Sequence, residues 1–211
     1  MHLEAIDEGM FDLSKKLAFI KEFSFYLSGG TGLALQLGHR KSFDMDFFTP
    51  IEFLPDDMAT VLTTHHLSIE SRVIRHRTLY CILEGMKTSF IFYPEPLLFP
   101  LKVFNTIDVA DWRDIVIEKL RTIADRGQKK DFYDFYFGVQ QMGIDQVAEL
   151  AFKKFGKRVN YFHLLKGLTY FEDADRSPEP VLIGENIPWN KVREFFLSRV
   201  KDFEIAFSKV C

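Results

Sequence analysis

The sequence has few cysteines and lacks the short motifs of several common enzyme classes. Two of its 211 residues are cysteine, Cys81 and Cys211, and no CxxC pair is present. This favours a reduced, cytoplasmic protein over one stabilised by disulfides. The six histidines form no HExxH motif, and GxxxxGK[ST] and GxSxG are missing too. We therefore expect no zinc site, no P-loop and no hydrolase nucleophile elbow.

Long apolar runs are also missing. The most apolar stretch, residues 90–101, is interrupted by three prolines and by Glu95, whereas a membrane span needs about 18 or more consecutive apolar residues. The N-terminus is acidic and has no apolar core of a secretory signal. These features predict a cytoplasmic protein with no membrane partner.

The composition is that of a globular protein. Hydrophobic residues make up 47% and charged residues 27% of the chain, and 27 basic against 30 acidic residues give a net charge of −3. A disordered chain is excluded by this hydrophobic content. A molecule that attracts nucleic acid over its whole surface is excluded by the charge, so any basic surface must be local.

The first half of the chain alternates between helix-like and strand-like patterns. Periodicity and turn residues predict helices over 12–23, 31–37 and 55–66, and strands over 25–28, 43–48, 67–75, 78–84 and 86–93. The Gly29-Gly30 pair is expected to end the first strand. Such an order predicts the α+β class with a mixed sheet.

From Asp111 onward the pattern is helical. Helices are predicted over 111–127, 131–142, 145–155, 158–171 and 189–208, with a proline-rich loop over 173–188. We therefore expect two domains: a sheet-bearing lobe over residues 1–108 and a helical lobe over 109–211 that completes the site.

Residues 43–48, FDMDFF, alternate apolar and acidic residues. On a strand this places Asp44 and Asp46 on one face, while Phe43, Met45 and Phe47 fill the other. Carboxylates at this spacing suit Mg²⁺, which takes one or two protein carboxylates and completes its shell with water and substrate phosphates. The structural alternative is a solvated polar face, with Arg40 and Lys41 neutralising the two acids.

A glycine-rich segment precedes the acids. Gly29, Gly30 and Thr31 stand at the expected start of a helix, where free N–H groups, the helix dipole and the Thr31 hydroxyl favour a phosphate. A helix start for a triphosphate and an acidic strand for its metal ion would together form a nucleotide site. The alternative is an ordinary turn.

The stretch FYLSGGTGLALQLGHRKSFDMDFF resembles the signature of the AbiEii/AbiGii family of nucleotidyltransferase toxins, within the polymerase-β-like fold. A second block, WRDIVIEKLRTIADRGQKKDFYDFYF, is similar to a later motif of that family, a lysine, an arginine and a KDxxD helix. The two blocks stand in the expected order. The resemblance implies a polymerase-β-like nucleotidyltransferase lobe followed by a helical C-terminal lobe.

The resemblance also implies a function. It predicts a bacterial, Mg²⁺- or Mn²⁺-dependent nucleotidyltransferase that moves a nucleoside monophosphate from a nucleoside triphosphate to an acceptor such as RNA or tRNA. The protein would be the toxin of a toxin–antitoxin pair, with an antitoxin protein as a further partner. Asp44 and Asp46 would bind the metal ion. The implied catalytic residues are Asp44, Asp46, Lys119, Asp131 and Asp134, and the implied nucleotide-binding residues are Gly29, Gly30, Thr31, Arg40, Ser42, Lys119 and Arg126.

Each of the later residues also has a structural alternative. Asp131 and Asp134 lie in the opening turn of a predicted helix, where acids complement the helix dipole. Lys119 and Arg126 are two helical turns apart and share a face. Two basic clusters are candidates for an RNA path or, alternatively, for solvated surface; they comprise Lys153, Lys154, Lys157 and Arg158, and Arg72, Arg75 and Arg77.

The chain departs from the wider fold at the third acid. A third carboxylate usually comes from a neighbouring strand, but Ser89 occupies the corresponding place and Glu84 is the nearest alternative.

Two rival functions follow. One is a glycosyltransferase with a DxD metal site, which the glycine segment and the KDxxD helix argue against. The other is a noncatalytic nucleotide-binding or partner-binding member of the same fold, which Ser89 favours.

Overall fold

The computed structural model describes residues 1–210, and its internal contacts divide the chain into two compact units. The first comprises Met1–Pro96 and Pro100–Asp111, and the second comprises Leu97–Phe99 and the chain from Trp112 onward. The domain boundary expected after residue 108 stays a prediction. None of the helices within these 210 residues has the length and apolarity that a bilayer crossing requires.

The first unit is built on a seven-stranded mixed sheet. Its strands are β1 (Tyr26–Ser28), β2 (Asp44–Thr49), β3 (Ile69–Arg75), β4 (Thr78–Leu83), β5 (Met86–Phe92), β6 (Lys102–Phe104) and β7 (Ile107–Val109). They lie in the order β3-β4-β5-β2-β1-β7-β6. The β1–β7 and β2–β5 pairs are parallel and the others are antiparallel. With its helices, this sheet confirms the predicted α+β class.

Three helices accompany the sheet: α1 (Glu8–Lys16), α2 (Gly29–Leu37) and α3 (Pro55–Thr64). The main core fills one face of the sheet with residues from β2, β4 and β5, such as Met45, Phe47, Leu79 and Phe90. Cys81 belongs to this core, and burial raises the pKa of its thiol to about 11. The thiol is therefore not a candidate nucleophile, because the thiolate is the reactive form.

Three expectations about the first unit were wrong. The first helix begins at Glu8, because the Asp7 side chain accepts from the Met10 N–H at 2.8 Å and caps it there; Ala18–Phe23 is a 3₁₀ segment. Helix α2 begins at Gly29, two residues before the expected start at residue 31, although the glycine pair ends β1 as expected. Strands β6 and β7 were missed, because they lack the aromatic run and the following glycine pair by which the equally short β1 was predicted.

The second unit is helical. It contains α4 (Trp112–Arg126), α5 (Lys129–Met142), α6 (Ile144–Phe155), α7 (Tyr161–Gly167), α8 (Glu172–Arg176) and α9 (Trp189–Val210). The helix expected over 158–171 is shorter. Gly156 ends α6, and α7 begins only after Asn160, whose side chain caps it by accepting from the His163 N–H at 3.3 Å. The predicted loop after residue 173 begins with the short helix α8.

A buried ion-pair cluster lies at the centre of the second unit. The Lys154 ammonium is 2.8 Å from Asp114 Oδ1 and 3.2 Å from Glu118 Oε1, and the lysine and aspartate side chains are fully buried. The Asp114 carboxylate also accepts from the Leu98 and Phe99 N–H groups. This cluster explains why residues 97–99 belong to the helical unit.

Close packing of α4 on α5 depends on Gly138. A Cβ built on this glycine would overlap Cγ2 of the buried Val116. We expect Gly138→Ala to lower the free energy of unfolding by about 1–3 kcal/mol, the usual cost of overpacking a core. Urea denaturation followed by circular dichroism measures this change.

The double variant G138A/V116A is the control. Valine shortened to alanine makes room for the new methyl group, so the two effects should be less than additive by at least about 0.5 kcal/mol. Strict additivity would show that the two residues do not contact each other.

Candidate functional site

Asp44 and Asp46 lie on the face of β2 that points away from the main core. Both side chains are half-buried, whereas Met45, Phe47 and Thr49 between and after them are buried. The prediction for Phe43 was wrong, since this residue precedes the strand and is 56% exposed. The two carboxylates therefore stand on a strand that is anchored by its other face.

The neighbouring strands define what surrounds the two acids. Asp44 pairs with Lys87 of β5, and Asp46 pairs with Ser89 of β5 on one side and Ser28 of β1 on the other. Cross-strand partners point to the same face of a sheet. The carboxylates thus share their face with one cation and two hydroxyl groups.

Both oxygens of the Asp46 carboxylate are confined. The Ser89 hydroxyl donates to Oδ1 in a short hydrogen bond. Oδ2 lies against Gly29, where a Cβ built on the glycine would be only 2.7 Å from this oxygen. Gly29 also has φ +59°, in the left-handed region that favours glycine. The contact and the backbone conformation both require glycine at this position.

The start of α2 lies beside the carboxylates. Its first N–H groups have no partners within the helix, and they carry the positive end of the helix dipole. The Arg40 guanidinium packs against Gly30, since a Cβ there would overlap Nη2, and Nη1 donates to the Lys41 carbonyl at 2.9 Å. Arg40 is buried, so its charge acts at close range on anything bound at Gly30.

Thr31 and Ser42 are buried next to the start of α2. Thr31 Oγ1 is 2.8 Å from Ser42 Oγ and also donates to the Asp44 carbonyl, and both side chains are buried. These bonds tie the first turn of α2 to the acidic strand. The structure therefore gives Thr31 a positioning role, and its expected contact with a phosphate stays a prediction.

The acidic pair fits the chemistry of Mg²⁺ but offers no third protein ligand. Within residues 1–210 no group of three or more His, Cys, Asp or Glu side chains is arranged to hold a metal ion. Two carboxylates suffice for Mg²⁺ when substrate phosphates and waters fill the other positions. Asp44 and Asp46 are the residues that could hold it.

Glu84 does not supply the missing carboxylate. Its Oε2 is paired with Lys16 at 2.5 Å and its Oε1 accepts from the Ser68 N–H at 2.7 Å. The hydrogen bond from Lys16, followed by that from Ser68, lowers the pKa of this carboxyl group. Glu84 thus links the β4–β5 turn to Lys16 of α1 and to Ser68 before β3, and the alternative raised by the sequence was wrong.

In the second unit, Lys119, Asp131 and Asp134 form a buried ion-pair triad. The lysine Nζ is 2.7 Å from Asp131 Oδ1 and 2.8 Å from Asp134 Oδ2, and none of the three side chains is more than 9% exposed. Asp131 Oδ2 also accepts from the Gln128 N–H in a capping box at the start of α5. The triad joins α4 to α5, so these residues have a structural role in this unit.

Arg126 is the last residue of α4 and is exposed. It shares no salt bridge with any of residues 1–210.

The expected basic clusters are divided by the fold. Lys154 is buried with Asp114 and Glu118, and Arg158 donates to the Lys154 and Phe155 carbonyls. In the first unit, Arg72 is paired with Asp56 and Arg77 with Glu52. Two residues of each cluster are therefore engaged within their own unit, which leaves Lys153, Lys157 and Arg75 as the cluster members without a salt bridge to any of residues 1–210.

Sequence reasoning missed two residues on the carboxylate face. Lys87 lies directly across from Asp44, and Tyr80 of β4 pairs with Ser89. Because Tyr80 alternates with the apolar Leu79 and Cys81, the sequence could have predicted that the tyrosine lies on the face of β4 opposite the core. Its proximity to the acids depends on strand order, which no local pattern contains.

Gly29 provides a test of the site. In Gly29→Ala the methyl group must displace the Asp46 carboxylate, so we expect metal-dependent nucleotide binding to weaken roughly 10- to 100-fold. Isothermal titration of a nonhydrolysable nucleotide with Mg²⁺ measures this effect.

Gly85→Ala is the matched control, because Gly85 has φ +79° and the nearest neighbour of a built Cβ is 3.9 Å away. Both variants should lose about 1–2 kcal/mol of stability from backbone strain, but only G29A should bind nucleotide more weakly. Equal binding by the two variants would contradict the proposed site.

The Lys119 triad provides a second test. Lys119→Met leaves two buried carboxylates without their counter-ion, so it should lower the free energy of unfolding by about 3–5 kcal/mol. The triple variant K119M/D131N/D134N removes all three charges and should recover most of this loss. Guanidinium denaturation measures both, and a triple variant no more stable than K119M would show that the triad charges do not govern stability.

Comparison with known proteins identifies the family of the chain. A family model described as "Nucleotidyl transferase AbiEii toxin, Type IV TA system" matches residues 19–209. An uncharacterised protein of Aquifex aeolicus (strain VF5), aq_aa25, is 37% identical over 186 residues, which are 85% of this chain and 87% of that protein.

Among solved structures, one from H. pylori shares the fold. The crystal structure of a candidate nucleotidyltransferase from H. pylori is 15% identical and superposes with a TM-score of 0.56, over 96% of this chain and 95% of that one. The Megavirus polyadenylate synthase, also 15% identical, matches 62% of this chain with a TM-score of 0.45, and this chain spans only 31% of its length. The resemblance inferred from the two sequence blocks is confirmed by the family match, and the chain belongs to the AbiEii family of nucleotidyltransferases.

Proposed function

We propose that the protein transfers a nucleoside monophosphate from a nucleoside triphosphate to an RNA acceptor, and that it is the toxin of a bacterial toxin–antitoxin pair. Family membership supports the reaction class and the toxin role. The observation that carries the proposal is the pair of half-buried carboxylates facing the start of α2, with Asp46 held between Ser89 and Gly29. With nucleoside triphosphates and RNA as its proposed substrates, the activity is proposed to be cytoplasmic.

Asp44 and Asp46 are the proposed ligands of Mg²⁺ or Mn²⁺. A divalent ion bound there would neutralise charge on the phosphates as the pyrophosphate leaves. The β5 strand supports this arrangement, because the Ser89 hydrogen bond holds the Asp46 carboxylate in one orientation. Preorganised ligands of this kind reduce the reorganisation that the reaction would otherwise require.

The nucleotide phosphates are proposed to bind at Gly29 and Gly30. Glycine lets a phosphate approach the backbone, and the N–H groups of the first helical turn donate to it. Arg40 adds a fixed positive charge beside Gly30. Thr31 and Ser42 hold the helix start against the acidic strand from below.

For the helical unit, membership of the family supports roles for four further residues. Lys119 is proposed to contact the triphosphate, Arg126 to bind nucleotide, and Asp131 and Asp134 to act in catalysis. The triad means that the Lys119 ammonium binds two carboxylates in the structure. A variant of Lys119 must therefore be shown to be folded before its activity is interpreted.

The second candidate is a noncatalytic nucleotide-binding member of the fold. It is favoured by β5, which presents Lys87 and Ser89 beside the acids where a third carboxylate would stand. Positioning and electrostatic stabilisation supply most of the rate in phosphoryl transfer, so two carboxylates are compatible with catalysis. Metal-dependent nucleotide binding without transfer would establish this second candidate.

Label transfer tests the proposal. The protein is incubated with Mg²⁺, total cellular RNA and each α-labelled nucleoside triphosphate in turn, and the products are separated on a denaturing gel. We expect label in RNA with at least one nucleotide. Asp44→Asn and Asp46→Asn should lower the rate at least about 100-fold, because the neutral amide is a poor ligand for a hard cation.

Asp108→Asn is the matched control, since Asp108 is a strand aspartate on β7, two strands from β2, whose carboxylate is paired with Lys21 at 2.7 Å. It should transfer label at the wild-type rate. Label in the protein instead of RNA would point to a protein acceptor, and loss of transfer in D108N alone would place the metal site elsewhere.

A further inference from the structure

The face of the sheet that carries Asp44 and Asp46 continues over β5, β4 and β3 to the edge of the sheet. Cross-strand pairing gives one row from Asp46 through Ser89 and Tyr80 to Val73. Tyr80 is 46% exposed and Val73 is exposed too. This part of the face is therefore open, although it is continuous with the proposed catalytic residues.

Three side chains lie on a diagonal across this open face. Lys87 of β5 is in the row of Asp44, Tyr80 of β4 is in the row of Asp46, and Arg75 of β3 is in the row of Phe48. Strands are about 4.8 Å apart, and rows on one face are about 6.7 Å apart along each strand. The step from Lys87 to Tyr80, and from Tyr80 to Arg75, is thus roughly 8 Å between Cα atoms.

The polar groups of these three residues are available for binding. Among residues 1–210, Lys87 and Arg75 have no ion-pair partner, and the Tyr80 hydroxyl has no hydrogen-bond partner. The two other arginines of this region contrast with Arg75. Arg72 is on the opposite face and is paired with Asp56, and Arg77 is paired with Glu52.

A cation, an exposed aromatic ring and a second cation in line match the requirements of single-stranded nucleic acid. Such chains bind where bases stack on aromatic side chains and phosphates meet Lys or Arg. Charges on an edge strand also hinder edge-to-edge pairing, which accounts for Arg75. Protection of the edge does not account for Tyr80, which is half-exposed on an inner strand beside the carboxylates.

We propose that Lys87, Tyr80 and Arg75 form an acceptor subsite that binds the end of a single-stranded RNA. One base stacks on Tyr80, and the flanking phosphates contact Lys87 and Arg75. Tyr80 is two strands from Asp46, roughly 10 Å, so the chain end lies within about one nucleotide of the carboxylates. This inference rests on the proposed function and specifies where its acceptor binds.

Equilibrium binding tests the subsite directly. A short fluorescein-labelled single-stranded RNA is titrated with the full chain in EDTA buffer at several salt concentrations, and anisotropy gives Kd. We expect Tyr80→Ala to raise Kd roughly 5- to 150-fold through loss of stacking. Arg75→Gln should reduce the slope of log K against log salt by about 0.7, the value for one phosphate contact on a single strand.

Two variants are the controls. Tyr80→Phe keeps the ring and should bind like the wild type, and Arg72→Gln removes an arginine from the opposite face of the same strand and should leave the salt slope unchanged. The inference is overturned if the wild type does not bind the RNA, if Y80A binds as tightly as Y80F, or if R72Q and R75Q change the slope equally.

The label-transfer assay separates this inference from the proposed function. If the wild type modifies RNA and Y80A shows the same KM for the acceptor, the subsite is wrong and the function stands. If Y80A and R75Q lose RNA binding as expected but the wild type transfers no label, the subsite stands and the catalytic proposal is wrong. A Y80A variant that binds nucleotide more weakly than Y80F, with unchanged RNA binding, would assign the surface to the donor instead and overturn the inference.

Discussion

The candidate site depends on the confinement of one carboxylate. The Asp46 carboxylate accepts a hydrogen bond from Ser89 of β5. Its other oxygen lies against Gly29, at the start of the helix that follows β1. A rotation of this side chain would break the first contact or collide with the second. The acidic strand, the glycine pair and the serine in place of a third acid are therefore parts of one arrangement, and each constrains the others.

The helical unit is organised by charge as well as by apolar packing. Its core contains two buried ion-pair clusters, Lys154 with Asp114 and Glu118, and Lys119 with Asp131 and Asp134. Desolvation makes such clusters costly to form, while loss of one member is costlier still. The residues of a family motif can therefore be required for folding as well as for catalysis. Stability and activity must be measured together for each variant.

Much of the fold could be predicted, because its signals are local. The alternation around Met45 and Phe47 predicted β2, and the helical periodicity after Asp111 predicted α4 to within a residue or two at either end. The N-terminal helix was misplaced because the Asp7 cap was overlooked. Strands β6 and β7 have three residues each, too few for periodicity to mark them, whereas the equally short β1 was predicted from its aromatic residues and the glycine pair that follows.

The site was predicted in part for the same reason. The spacing of Asp44 and Asp46, and the glycines before them, are local features. Burial of Thr31, pairing of Glu84 with Lys16, and the position of Tyr80 depend on which strands become neighbours. Strand order is a property of the whole chain, so the surroundings of the acids became visible only in three dimensions.

The parallel pairing of β1 with β7 has a consequence for biosynthesis. Tyr26 pairs with Asp108 and Leu27 with Val109, so the strand that leads into the glycine pair stays an open edge until residue 109 has left the ribosome. Pairing between such distant segments is entropically costly and slow, and translation adds only about 5–20 residues each second. The nascent chain therefore exposes a half-built sheet for several seconds, and the unpaired edge of β1 is open to pairing with other strands over that interval.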